Sequence, residues 1–171
     1  IFMKIDKLVL VFLISFLISN PVYSAGSSSD SSSGVSTPKA NTPFYSASTR
    51  IKKAKKLEAK GKIEKSKKLY NQALEYLYKA NKEDPLNPDI LNYLGFANRK
   101  VGNTVDAETY YLMGLEIDPK HNGINEYLGE LYVNTNRINL ANERLNVLKG
   151  CDCKEYKQLK DIIEGKKTSK Y

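Results

Sequence analysis

The sequence predicts an all-α fold, a stack of about three helix-turn-helix units closed by a C-terminal helix. Three observations carry this. Residue types recur every 34 positions, with Ala73, Ala107 and Ala141 in register, then Leu77, Tyr111 and Leu145, then Pro85 and Pro119. Tyr93-Leu94-Gly95 returns as Tyr127-Leu128-Gly129, and Ile90 as Ile124. Between these anchors the apolar residues follow helical spacing, and the small Ala and Gly residues stand where two helices must approach closely.

Lys4 and Lys7 precede an apolar run from Leu8 to Ile18, which Ser19-Asn20-Pro21 ends. The run is shorter than the roughly 20 residues of a membrane span. Val22-Tyr23-Ser24-Ala25 then offers small residues at the exit, the pattern of a secretory signal peptide over 1–24 cut after Ser24, with Met3 as the initiator. Export, most simply to a bacterial periplasm, is expected. Processing removes two Lys and one Asp and takes the net charge from +8 to +7. No Cys stands at the cut to carry a lipid anchor.

Residues 25–48 contain nine Ser, two Gly and two Pro. Such a stretch buries too little surface to offset its ordering entropy, so it reads as a flexible linker. Phe44 and Tyr45 are its aromatic pair, either docked on the domain edge or solvated.

The first unit, about 49–87, is irregular. A short Lys-rich helix is expected from Ser48 to Lys60, a turn at Gly61-Lys62, and a long helix to Asn81 along the Ile63, Tyr70, Leu77 stripe. The second unit, 88–121, is the most regular. It has Leu94-Gly95, a Gly102-Asn103 turn, Ala107, Tyr111, Gly114 and Asp118-Pro119. The third, 122–155, keeps Leu128-Gly129, Tyr132, Ala141 and Leu145, with Cys153 where the closing Pro would stand. Tyr156, Leu159 and Ile163 give a capping helix over about 154–164 one apolar face, and Lys154, Lys157, Gln158 and Asp161 give it a polar back. Residues 165–171 are expected to fray.

This pattern resembles the tetratricopeptide repeat (TPR) family over about residues 49–164. Leu91 stands where that family often has Trp, Asn98 where Tyr is usual, and Gly114 where Ala is usual. The stretch Asn125 to Tyr132, followed by Cys151-Asp152-Cys153, is also similar to small exported bacterial TPR proteins with a C-terminal Cys-x-Cys. The resemblance implies a right-handed superhelix that binds a protein or peptide segment on the concave face of its first helices. Carried over by position, the partner-binding groove holds Asp89, Asn92, Phe96, Arg99 and Lys100 from the second unit. The third unit supplies Glu126, Glu130, Val133 and Asn134. Phe96 offers an apolar contact and Arg99 a bidentate donor. Glu126 and Glu130 would repel an anion, so the mixture suits a polar or zwitterionic segment.

Two other features compete for function. Arg50, Lys52, Lys53, Lys55, Lys56, Lys60, Lys62, Lys65, Lys67 and Lys68 concentrate a net charge of +8 in 19 residues. Such a patch either solvates the domain or holds an anionic envelope surface. Cys151 and Cys153 form a structural disulfide, remain two small apolar thiols, or exchange as a redox pair. Two thiols and a distant His121 cannot close a four-ligand zinc site, so no metal is expected. No phosphate-cradling Gly loop and no His-Glu-x-x-His appear, and Ser36-Thr37-Pro38-Lys39 matches Ser-x-x-Lys by spacing alone. Neither an enzyme nor a cofactor is expected. The recurrent Tyr residues read as packing, and export argues against a nucleic-acid partner.

Overall fold

In the computed structural model the described residues are 39–169. The leader and most of the Ser-rich linker therefore lie outside the described residues. Seven helices follow in chain order: α1 (Pro43–Glu58), α2 (Ile63–Glu83), α3 (Pro88–Val101), α4 (Thr104–Ile117), α5 (Asn122–Asn134), α6 (Ile138–Val147) and α7 (Lys154–Ile163).

Among the described residues α1–α2, α3–α4 and α5–α6 form three helix-turn-helix pairs, and each pair packs on the next. The first helices also meet: α3 touches both α1 and α5. α7 packs on α5 and α6, the place a first helix of a further unit would take. The fold is thus an all-α stack closed by a capping helix.

Local chemistry sets the boundaries. Pro43 and Pro88 occupy first-turn positions where a missing N–H is harmless. Thr42 Oγ1 caps α1 by accepting from the Tyr45 N–H at 3.1 Å. Asn87 Oδ1 caps α3 by accepting from the Asp89 and Ile90 N–H groups. Gly102 ends α3 in the left-handed region at φ 100°, and Asn136, one repeat later, makes the same kind of turn at φ 58°.

The beginning of α1 corrects the linker reading. The sequence puts residues 43–48 in the flexible segment, yet they form the first turns of α1. A Thr cap, a Pro at the first turn and the burial of Phe44 and Ala47 outweigh the Ser-rich composition. Phe44 meets the Tyr93 ring edge-on at 5.2 Å, whereas Tyr45 is 43% exposed.

The repeated Leu-Gly has a steric reason. A Cβ on Gly95 would overlap the Tyr111 ring of α4. A Cβ on Gly129 would lie 2.5 Å from Leu159 Cδ2 of α7. The same repeat position therefore admits a second helix inside a unit and then the capping helix after it. Tyr127 packs against both apolar clusters, one centred on α1–α3 and the other on α4–α6.

The C-terminal tail also departs from expectation. Gly165 adopts φ 69°, and the Lys166 and Lys167 N–H groups donate back to the Asp161 carbonyl. This turns the chain so that Ser169 reaches α5, where its Oγ accepts from Asn134 Nδ2 at 2.9 Å.

Candidate functional site

The first helices of the stack face one another across a cleft of about 810 Å³. α1 contributes Lys55, Glu58 and Ala59, and Ile63 opens α2 beside them. α3 contributes Phe96 and Lys100, and α5 contributes Glu126, Tyr127 and Glu130. Gln158 and Ile162 of α7, with Lys167 and Thr168 of the tail, close the far side.

Phe96 is buried and forms part of the floor. Its ring meets Tyr70 edge-on at 5.9 Å and Tyr127 at 5.1 Å. The Lys55 ammonium lies over it, 4.2 Å from the ring centroid and 5.7 Å from that of Tyr127. Its hydrogen-bond contact there is the Tyr127 hydroxyl, at 3.5 Å. Burial of the ammonium end lowers the Lys55 pKa, and nearby Glu126 opposes that shift. Much of the Lys55 side chain nevertheless stays exposed on α1.

Two ion pairs brace the walls. Lys100 Nζ donates to Glu58 Oε1 at 2.6 Å, and the Tyr70 hydroxyl donates to Glu58 Oε2 at 2.9 Å. Burial lowers the Lys100 pKa, with Glu58 opposing, while burial and then the Glu58 bond push Tyr70 up. Arg99 pairs with Glu130 at 3.2 Å and donates to the Tyr127 carbonyl at 2.9 Å, tying α3 to α5. Ser169 Oγ adds a 3.4 Å bond to Glu130 Oε2.

Glu126 is different. It is 3% exposed, lines the cleft, and its Oε1 has no hydrogen-bond partner among the described residues. Burial chiefly, then the neighbouring Glu130 and Glu155 carboxylates, push its pKa up to about 8, against the pull of Arg99 and Lys55. Near neutral pH it is mostly a protonated carboxyl.

The residues carried over from the family pattern separate into two places. Phe96, Lys100, Glu126 and Glu130 line the cleft, and Arg99 braces its wall. Asp89 and Asn92 instead belong to the α3–α5 junction. His121 organises that junction: its Nδ1 accepts from the Ile124 N–H at 3.1 Å, capping α5, and its Nε2 faces Asp89 Oδ1 at 3.2 Å. A neutral ring with its proton on Nε2 satisfies both bonds. Asn125 Nδ2 donates to the Pro119 and His121 carbonyls beside it. A Cβ on Gly123 would lie 2.9 Å from Asn92 Nδ2, so this contact leaves no room for a ligand. Asn134 is exposed and engaged by the tail, and Val133 is half-buried.

Sequence reasoning missed Glu58, Tyr127, Gln158, Ile162 and the tail as cleft residues, and it placed Lys55 only in the basic patch. A signal existed for Glu58. It stands 34 residues before Asn92, which stands 34 before Glu126.

Most of the basic patch is solvated: Lys52, Lys53, Lys56, Lys60, Lys62, Lys65, Lys67 and Lys68 are exposed. Arg50 is held, its guanidinium 4.0 Å from the Tyr76 ring centroid and donating to the Ser46 carbonyl. Cys151 and Cys153 are joined in a disulfide in the loop that leads into α7.

No protein-family model matches the chain. No curated protein matches it. Among solved structures, the chain is similar to the first TPR of Spaghetti (RPAP3), described as bound to the HSP90 peptide SRMEEVD. The identity is 15% and the TM-score 0.47, over 77% of this chain and 100% of that one. It is also similar to the Sgt2 TPR domain from Aspergillus fumigatus, at 19% identity and a TM-score of 0.47, over 76% of this chain and 84% of that one.

Proposed function

We propose that the chain is an exported, non-enzymatic protein–protein interaction module that holds a segment of a partner in the cleft between its first helices. The observation that carries this reading is the cleft itself. It is an opening of about 810 Å³ with an aromatic floor, two braced ion pairs and a buried carboxyl with an unpartnered oxygen. Such a mixture of a few convergent polar groups over apolar rings is what a recognition site requires. Export is supported by the pattern of residues 1–24 and by the disulfide, which persists in oxidising compartments.

The exposed lysines of α1 and α2 support a second reading, adhesion to an anionic envelope surface. One experiment separates the two. The chain is immobilised and used to capture proteins from an envelope extract at low and high salt, with mass-spectrometric readout. One variant plugs the cleft mouth with Gln158→Arg and Thr168→Arg. Another neutralises Lys52, Lys56, Lys60, Lys65, Lys67 and Lys68 to Gln. The cleft reading expects a partner retained at high salt and lost only with the plug. Capture that ignores the plug and disappears with salt, or with lysine removal, moves the site to the basic face.

A further inference from the structure

The cleft contains a carboxyl and an ammonium that act on each other electrostatically but form no ion pair. Glu126 lines the cavity, and one of its buried carboxyl oxygens has no hydrogen-bond partner among the described residues. Lys55 brings an ammonium into the same cavity but stops over the aromatic rings, with no ion pair to Glu126 within 4.0 Å among the described residues. The other cations around it are spoken for. Lys100 is bonded to Glu58 at 2.6 Å, Arg99 to Glu130 at 3.2 Å, and Lys167 lies 3.7 Å from Asp161 at the mouth. We infer that the cleft receives a lysine side chain of the partner segment, whose ammonium takes the place of Lys55 over Phe96 and Tyr127 and reaches on to the Glu126 carboxylate.

The reasoning rests on charge complementarity, and it deepens the reading of the cleft as the partner site. The rings already hold an alkylammonium, so their geometry suits one. The resident ammonium, anchored on α1, rests on the rings and makes no ion pair with Glu126 among the described residues, whereas a side chain entering from the mouth carries no such anchor. Lys55 belongs to a largely exposed stretch of α1 and can swing out to water, where its charge is fully solvated. The carboxylates of Glu130 and Glu155 make the position more attractive for an incoming cation. Lys55 thus acts as a built-in competitor that shields the site until a better-placed lysine arrives.

Proton linkage follows. The groups that act on Glu126 are Lys55 on α1, Arg99 on α3, Tyr111 on α4, Tyr127 and Glu130 on α5 and Glu155 on α7, while Glu58, Lys100 and Lys167 line the same cleft. Arg99, Lys100, Glu58 and Glu130 are fixed in pairs, so Glu126 is the group that exchanges its proton as a cation enters. Binding releases that proton and strengthens as pH rises towards about 8.

The test uses the full chain and three blocked peptides: acetyl-Gly-Lys-Gly-amide, acetyl-Gly-Gln-Gly-amide and acetyl-Gly-Glu-Gly-amide. Binding is read from the NMR ring signals of Phe96 and Tyr127 at pH 6.5 and 8.5. The Lys peptide is expected to give a saturable shift, about tenfold tighter at the higher pH. Lys55→Met should tighten it several-fold by removing the competitor, and Glu126→Gln should weaken it and abolish the pH dependence. Preference for the Glu peptide overturns the inference, as does Lys-peptide binding indifferent to Glu126→Gln. Silence of the rings towards all three peptides in Lys55→Met also overturns it. None of these results would alter the plug experiment, which decides separately whether the cleft is the partner site.

Discussion

Two polar clusters meet helix α5, one at its junction with α3 and one on the cleft side beside α1, and their groups are paired differently. At the junction, His121 uses one ring nitrogen to cap α5 and the other to meet Asp89, and Asn125 ties the turn to the helix. On the cleft side, Glu126 keeps an oxygen without a partner while Lys55 rests on aromatic rings. Glu126 is as buried as Asp89 and His121, so burial of the carboxyl does not explain the difference. The paired groups of the junction fix the register between repeats, although Asn92 Oδ1 there also lacks a hydrogen-bond partner among the described residues. In the cleft the unpaired atom belongs to a carboxyl, and a cationic ligand can recover the free energy it leaves.

The largest way to break this comparison is at the wall they share. Arg99→Met removes the α3–α5 cross-link and leaves buried Glu130 with the Ser169 hydroxyl as its hydrogen-bond partner among the described residues. A loss of about 3 to 5 kcal/mol is expected in denaturant unfolding at pH 7. Glu126→Gln comes next, and its effect depends on pH. The folded pKa of about 8 lies above the ordinary 4.5, so the native state keeps a proton that the unfolded chain gives up. Stability from this group is therefore present below pH 4.5 and falls as pH rises towards 8. The Gln variant should lie within about 1 kcal/mol of the parent at pH 5 and exceed it by something on the order of 4 kcal/mol at pH 8.5. Paired unfolding curves at the two pH values check this, and a parent curve with no greater fall than the variant would contradict it.

His121→Ala should cost about 1 to 2 kcal/mol, through loss of the α5 cap and the Asp89 contact. Unlike Glu126→Gln, it should leave Lys-peptide affinity unchanged, which sharpens the division between a structural cluster and a binding one. The smallest stability effect is expected from Lys55→Met, less than about 1 kcal/mol, because a partly exposed cation over a ring contributes little. A large loss of thermal stability in that variant would make Lys55 a structural brace and not a competitor.

The repeat register made much of this architecture legible from sequence. Gly95 and Gly129 mark close helix approaches because a side chain at either would collide with Tyr111 or Leu159. The same register placed Phe96, Lys100, Glu126 and Glu130 on the first helices that line the cleft. Where composition and local chemistry conflicted, composition misled: Thr42 and Pro43 begin a helix inside a Ser-rich stretch. Periodicity also says nothing about pairs outside it. Lys100 and Glu58 are 42 residues apart, and the role of Lys55 was hidden in a run of exposed lysines. Nor does any repeat position foretell a tail that turns at Gly165 and returns to Asn134. Asp89 and Asn92 had the right register but the wrong neighbours, since His121 and Gly123 close the junction around them.

Recognition in the cleft turns on one carboxyl, and a carbon-13 NMR titration of the Glu126 side chain, alone and with acetyl-Gly-Lys-Gly-amide, reads it without intermediaries. The account predicts a midpoint near 8 in the free chain, lowered when the lysine peptide is present and unmoved by the glutamine peptide. A midpoint near the ordinary 4.5, or one that the lysine peptide leaves in place, would contradict it.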